Sequence, residues 1–198
     1  MAAPLLVELL TEELPPKALP QLEVFADYIA EDLADFRLLE STNVFRRFAT
    51  PRRLGVCIPA VRDREPDRRE VIRGPRTSAF FDGSGKPLPQ VATGFARKCG
   101  VSVEALLQGL VTLTDDPKGH VVGFTVERKG ETLEQLLPMI LQRACQKLPV
   151  PKMMRWGETE DEFVRPVRGL VVMHGDRAVP VSVLGLHSHC VTRGHRSL

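Results

Sequence analysis

Leu19, Leu22, Phe25, Ile29, Leu33 and Phe36 recur every three or four residues, and this spacing, set among runs of a different rhythm, restricts the fold more than any other feature of the chain. It marks one face of an amphipathic helix, because side chains three and four apart stand over one another on a helix. Before it, PLLVELL at residues 4–10 reads as a short, largely buried strand, and TEELPP at 11–16 is the turn between them. Glu12, Glu13, Pro15 and Pro16 suit a helix start, where negative charge meets the positive end of the dipole and a missing amide proton costs nothing. After the helix, VFRRFAT and RLGVCIPAV are rich in β-branched and aromatic residues and are parted by Pro51, which predicts two strands joined at a bend.

The alternation continues to the end of the chain. DGSGKP at 82–87 is a turn by composition, QVATGFARK at 90–98 is a short helix, and Ser102 caps another that starts at Val103. Residues 111–130, VTLTDDPKGHVVGFTVERKG, predict a hairpin with DDPKG at its tip. TLEQLLPMILQRACQKL at 132–148 predicts a helix capped by Thr132, with Pro138 near its first turns and Pro149 and Pro151 closing it. LVVMHG, GDR and AVPVSVLG read as a last hairpin. Strand pairs joined by short turns, with helices between them, predict an α+β fold with a mostly antiparallel sheet. We read residues 1–198 as one such domain, divisible into lobes of about 1–115 and 116–198.

With 43% hydrophobic and 26% charged residues, the chain has globular rather than disordered proportions. MAAPLLVELLTEEL lacks a basic start and Glu8 interrupts its apolar run, so it is unlike a secretory signal, and no run is long enough to cross a bilayer. The expectation is a soluble cytoplasmic protein with no membrane partner. Cys57, Cys99, Cys145 and Cys190 stand far apart without a CxxC, which predicts reduced thiols rather than a disulfide framework.

The net charge of +2 hides a strong asymmetry. Residues 1–45 carry nine acids against Lys17 and Arg37, whereas residues 46–76 carry ten arginines against Asp63, Glu65, Asp67 and Glu70. An arginine-rich block is a candidate phosphate-facing surface, because each guanidinium offers a planar fork of donors at constant charge. Its other reading is a solvated strand face paired with neighbouring carboxylates.

Motifs for self-contained chemistry are absent from the sequence: no glycine-rich loop ends in Lys-Ser or Lys-Thr, no dinucleotide-binding glycine pattern follows a strand, and GxSxG does not occur. His187, His189, Cys190 and His195 form the nearest approach to zinc-ligand spacing, but a structural site usually has a second ligand knuckle and here it is missing. Loop histidines open to solvent are the expectation, with no metal and no catalytic residue. Glu12 and Glu13 read as dipole and capping groups rather than an acid and base pair. The single tryptophan, Trp156 in PKMMRWG, is open to three uses: a core anchor, a contact with another subunit, or a platform for a nucleic-acid base.

TEELPPKAL at 11–19, FATPRRL at 48–54, RGP at 73–75, FDGSGKP at 81–87, GFARKCGVSVEAL at 94–106, LPVPKMMRWG at 148–157, FVRPVR at 163–168 and TRGHR at 192–196 occur together in this order. The chain resembles bacterial glycyl-tRNA synthetase beta subunits on these motifs over nearly its whole length. Two departures stand out: Gly169 follows FVRPVR where a large aromatic is expected, and the chain ends at RGHRSL where the family continues, which suggests an N-terminal fragment.

The resemblance implies a division of labour in a class II ligase that attaches glycine to its tRNA. An alpha subunit uses ATP and magnesium to form glycyl-adenylate, and the beta subunit binds tRNA. It implies as partners the alpha subunit, tRNA for glycine and the remainder of the beta chain, no cofactor in this fragment, and an α+β fold resembling the editing-type domain of the phenylalanyl-tRNA synthetase beta subunit. On motif and residue type, Arg52, Arg53, Arg73, Arg76, Lys152, Arg155, Arg165, Arg168, Arg193 and Arg196 are candidates for contact with tRNA or with a subunit. A docking domain that never meets RNA and a hydrolytic editing-type domain are the alternatives.

Overall fold

A computed structural model describes residues 2–39, 45–114, 119–150, 153–156 and 161–194. Its elements begin with β1 (Ala2–Thr11), α1 (Leu19–Leu22), α2 (Val24–Asp35), β2 (Arg46–Thr50) and β3 (Arg53–Arg62). There follow β4 (Arg68–Arg76), α3 (Thr77–Phe80), α4 (Pro89–Cys99), α5 (Val103–Gln108), β5 (Leu110–Leu113) and β6 (Val121–Arg128). The chain closes with α6 (Leu133–Gln146), β7 (Met154–Arg155), β8 (Glu162–Phe163), β9 (Val167–His174), β10 (Arg177–Ala178), β11 (Ser182–Val183) and β12 (Leu186–His189). The architecture is α+β.

The contacts define two compact units, one made of residues 1–66 with 131–198 and the other of residues 67–130. This grouping differs from a division near residue 115, because β5 and β6 on either side of that position pair with each other, with Leu113 opposite Val121. Within the first unit, the two ends of the interruption are tied together: Glu65 N–H donates to the Glu131 carbonyl at 2.9 Å, and Glu131 N–H to Glu65 Oε2 at 3.1 Å.

The first unit is organised by a sheet in the order β11-β12-β9-β1-β3-β2, with β10 also paired to β9. The pairs are antiparallel except β12 with β9, which runs parallel at Ser188 opposite Leu170. Register explains which side is dry. Leu5, Val7 and Leu9 lie opposite Ile58, Val56 and Leu54 on one side, and Val7 and Leu9 lie opposite Val172 and Leu170 on the other. All of these are buried and share one core with Phe25, Ile29 and Leu33 of α2 and with Leu137, Ile140, Leu141 and Ala144 of α6. Burying each such aliphatic side chain contributes about 1.5–3 kcal/mol.

The helix expected over Leu19 to Phe36 is present in pieces. A 3-10 turn at Pro16–Ala18 and α1 precede α2, and Phe36 is already the C-cap residue. The apolar face survives the interruption, since Leu22, Phe25, Ile29 and Leu33 are all buried. α6 has the predicted start: Gln135 N–H donates to Thr132 Oγ1 at 3.3 Å, and Thr132 N–H donates to Gln135 Oε1 at 2.9 Å. Together they satisfy amides that the helix cannot. Pro138 lies inside the helix, and α6 continues through it.

The second unit pairs β4, β6 and β5 in an antiparallel sheet. Its core joins Phe80, Phe95, Phe124, Leu106 and Val122, and the rings of Phe80 and Phe95 meet edge to face at 6.3 Å. RGP acquires its reason here. A Cβ on Gly74 would stand 2.7 Å from the Phe95 ring and 2.8 Å from Val122, so the strand takes glycine where the GFARK helix presses on it. The DGSGKP turn is closed by Asp82 Oδ1, which accepts from Ser84 N–H at 2.9 Å, Ser84 Oγ at 2.7 Å and Lys86 N–H at 2.9 Å. β4 has no counterpart in the sequence reading, because Arg68, Arg69, Glu70 and Arg73 mask its strand character and most of it is exposed.

Candidate functional site

Three of the motifs meet at one end of the main sheet, and a fourth lies against the neighbouring part of β1. The loop after β1 is held on both sides by backbone bonds: Thr11 N–H to the Arg52 carbonyl at 3.0 Å, Leu14 N–H to the Pro51 carbonyl, and Glu12 N–H to the Pro166 carbonyl at 2.9 Å. TEELPP, FATPRRL and FVRPVR are therefore laced together through their main chains, and the arginines complete the lacing. Arg168 Nε donates to Glu12 Oε1 at 2.7 Å, Arg52 Nη2 lies 3.5 Å from Glu13 Oε1, and Arg165 Nε donates to the Glu13 carbonyl at 3.2 Å. Arg165 also places Nη1 3.0 Å from Met154 Sδ.

The fourth motif lies against the middle of β1. Glu8 is only 6% exposed, on the sheet face opposite the α2 and α6 core, with Thr192 Oγ1 donating to its Oε2 at 2.8 Å. Arg53 Nε stands 2.7 Å from Glu8 Oε1 with its N–H not aimed at that oxygen, and Arg53 Nη2 donates to the Arg193 carbonyl. Glu8 is the residue that sequence reasoning passed over, although a lone acid inside PLLVELL was the available signal. Gly169, also on this face, leaves room that its neighbours use: a Cβ there would stand 3.2 Å from Leu10 Cδ1 and 3.3 Å from His189 Nε2. A large side chain at 169 would require His189 to move.

Charge pairing joins part of the acidic front to arginines from further along the sequence. Glu8, Glu12, Glu13 and Asp27 from the acidic front meet Arg53, Arg168, Arg52 and Arg47. Pairs such as Arg52–Glu13, with side chains 44% and 72% exposed, contribute at most about 1 kcal/mol and leave the guanidinium accessible. The Arg53–Glu8 pair is different in kind, because its carboxylate is removed from water.

The other candidates are dispersed. Arg155 pairs with Glu162 at 3.3 Å on the small β7–β8 ribbon. Arg73 and Arg76 belong to the second unit, where the Arg73 carbonyl accepts from Lys98 Nζ at 2.9 Å. The Arg193 side chain is exposed, and Lys152 and Arg196 lie outside the described residues. Trp156 is half-buried and packs with Met153 against the main core.

Among the described residues, no three His, Cys, Asp or Glu side chains are grouped to hold a metal ion; His195 lies outside them. His187 Nδ1 instead meets Ser182 Oγ at 2.7 Å, and His189 Nδ1 accepts from Val191 N–H at 3.2 Å. Burial pushes the Cys145 thiol up to about 12 and raises that of Cys99, which keeps both protonated and unreactive at neutral pH. A recess of about 230 Å³ is lined by Asp63, Thr132, Leu133, Glu134, Arg177 and Val179, none of which belongs to the arginine cluster. Among the described residues no helix is long and apolar enough to cross a membrane.

The family model for the glycyl-tRNA synthetase beta subunit matches residues 5–198. The chain belongs to that family. Among its relatives, the glycine–tRNA ligase beta subunit of Chromohalobacter salexigens is 44% identical over 196 residues, covering 98% of this chain and 27% of the relative. That of Neisseria meningitidis serogroup C is 44% identical over 200 residues, covering 100% and 28%, and that of Escherichia coli O8 is 42% identical over 192 residues, covering 96% and 27%. The chain thus spans little more than a quarter of the length of the curated relatives it matches.

Proposed function

We propose that this chain is a tRNA-facing region of the beta subunit of a class II glycine–tRNA ligase, acting in the ATP-dependent attachment of glycine to its tRNA. The observation that carries the reading is the match to beta subunits over residues 5–198. In the proposed division of labour, a cytoplasmic alpha subunit forms glycyl-adenylate with ATP and magnesium, and this region contributes basic surface and structural support. Its partners are then that alpha subunit, tRNA for glycine and the rest of the beta chain. We also take its α+β arrangement to be of the kind found in the editing-type domain of the phenylalanyl-tRNA synthetase beta subunit.

We read the candidate arginines in two groups. Arg53 and Arg165 are turned onto Glu8 and the Glu13 main chain and support the fold, whereas Arg52 and Arg168, although paired with Glu13 and Glu12, keep enough of their side chains in water for phosphate to compete for them. The test is crosslinking of tRNA to the intact alpha and beta complex with peptide mapping, together with affinity measured against salt. Crosslinks within residues 1–198, and a log–log salt slope flattened by about one to two in the Arg52→Ala, Arg168→Ala double variant, are the expected results. No crosslink in this region and an unchanged slope would make it a docking domain, a reading favoured by the inward-facing Arg53.

A further inference from the structure

We infer that the outer face of α4, centred on Gly94, is a docking surface for the sugar-phosphate backbone of RNA. The starting point is a glycine that the chain itself does not explain. Gly94 lies inside a helix of 11 residues, is exposed, has an ordinary helical backbone, and a Cβ added to it would meet nothing within 4 Å. The contrast with Gly74 is direct, since there a Cβ would run into Phe95 and Val122. A glycine inside a helix destabilises it relative to alanine, and neither packing nor a left-handed conformation offsets that cost at Gly94. What offsets it is a partner that approaches the helix backbone more closely than a Cβ permits.

Charge identifies the partner. The exposed residues around Gly94 on α4 are Gln90, Thr93, Arg97 and Lys98, and α4 carries no acidic residue. Arg97 has no ion-pair partner among the described residues, and Lys98 Nζ is fixed by its bond to the Arg73 carbonyl at the same end of the helix. The apolar side chains Ala92, Phe95, Ala96 and Cys99 all face inward. A partner helix would require exposed apolar flanks beside the glycine, and the one apolar neighbour there, Val91, is partly covered by the unit's own core. A phosphodiester strand requires a shallow place to lie, a guanidinium fork and neutral donors, which Gly94, Arg97 and Gln90 supply.

This inference rests on the reading of the region as tRNA-facing, and the experiment separates the two. In the full alpha and beta complex, Gly94→Ala, Gly94→Glu and Arg97→Ala are compared with the parent for thermal stability, tRNA affinity and salt slope. Gly94→Ala is expected to keep or raise the melting temperature while weakening tRNA binding several-fold, and Gly94→Glu to weaken it at least about tenfold. Arg97→Ala should lower the salt slope by about one. Stability and affinity moving in opposite directions at one helix position is the signature, because a purely structural glycine would move them together.

Unchanged affinity in both Gly94 variants, with tRNA crosslinks still mapping to residues 1–66 or 131–198, overturns the α4 surface alone. Loss of subunit association in these variants, with tRNA affinity per complex intact, assigns the face to a protein partner and overturns it also. Absence of any tRNA crosslink throughout residues 1–198 removes the tRNA-facing reading, and this inference with it.

Discussion

The two units use their motif residues for different purposes. In the unit built on β1, motifs are spent on joining distant chain: the side-chain bonds of Arg53 to Arg193, Arg165 to Glu13, Arg168 to Glu12 and Thr192 to Glu8 span 140, 152, 156 and 184 residues of sequence. In the unit of residues 67–130, motif residues serve close packing, with Gly74 beneath Phe95 and the Asp82 turn closing on its own next four residues. Its exposed charges pair across neighbouring strands, Arg69 with Glu127 and Arg128 with Glu70, both at 2.9 Å. A sheet assembled from both ends of a chain must be specified by long-range charge and hydrogen bonding, whereas a continuous segment is specified by shape near at hand. Loop closure makes the first the more demanding assembly.

The comparison breaks most visibly at Phe95, which is 4% exposed. Phe95→Ala should cost about 3–5 kcal/mol, and hydrogen exchange should show the loss of protection concentrated in residues 67–130 rather than in β1 and β3. Equal loss in both units would erase the distinction. Glu8→Ala addresses the other unit. It removes the acceptor of Thr192 and the partner of Arg53, and because Arg53 keeps about a third of its side chain in water the expected cost is about 1–3 kcal/mol in denaturant unfolding. Glu8→Gln retains an acceptor for Thr192 and should recover part of it.

Trp156 sharpens the same contrast, since its partly buried ring joins the segment after α6 to the main core. Trp156→Ala should cost about 1–2 kcal/mol, less than for a fully buried ring. Its fluorescence should already be blue-shifted and weakly quenched by acrylamide without any partner. A red-shifted emission that becomes protected only when tRNA is added would restore the stacking role.

The smallest effect belongs to the Asp82 turn. Bonds from the Ser84 hydroxyl and then the Lys86 amide hold the Asp82 carboxyl below the usual aspartate range. A carboxylate with a lowered folded value stabilises the fold fully above the unfolded value, near pH 4, and loses that contribution as pH falls through the folded one. The stability difference between the parent and Asp82→Asn should therefore stay constant from pH 7 to about pH 5 and shrink at lower pH. A difference that grows toward acid would contradict the assigned bonds.

The sequence by itself determined the elements whose signals are local. The periodic apolar positions of α2, the capping box of Thr132, the DGSGKP turn and the strand pairs around Pro51 and residues 111–130 each depend on neighbours a few positions away, where spacing carries the information. The order of motifs likewise marked the family. Only the tertiary structure decided that β12 runs parallel to β9, that residues 67–130 form their own unit, that the charged strand β4 pairs with β6, and that Glu8 is the carboxylate Arg53 meets. Those outcomes turn on residues brought together from far along the chain. An arginine in FATPRRL has the same sequence neighbours whether it faces a buried glutamate or a phosphate, and the difference arises only when another strand comes to lie beside it.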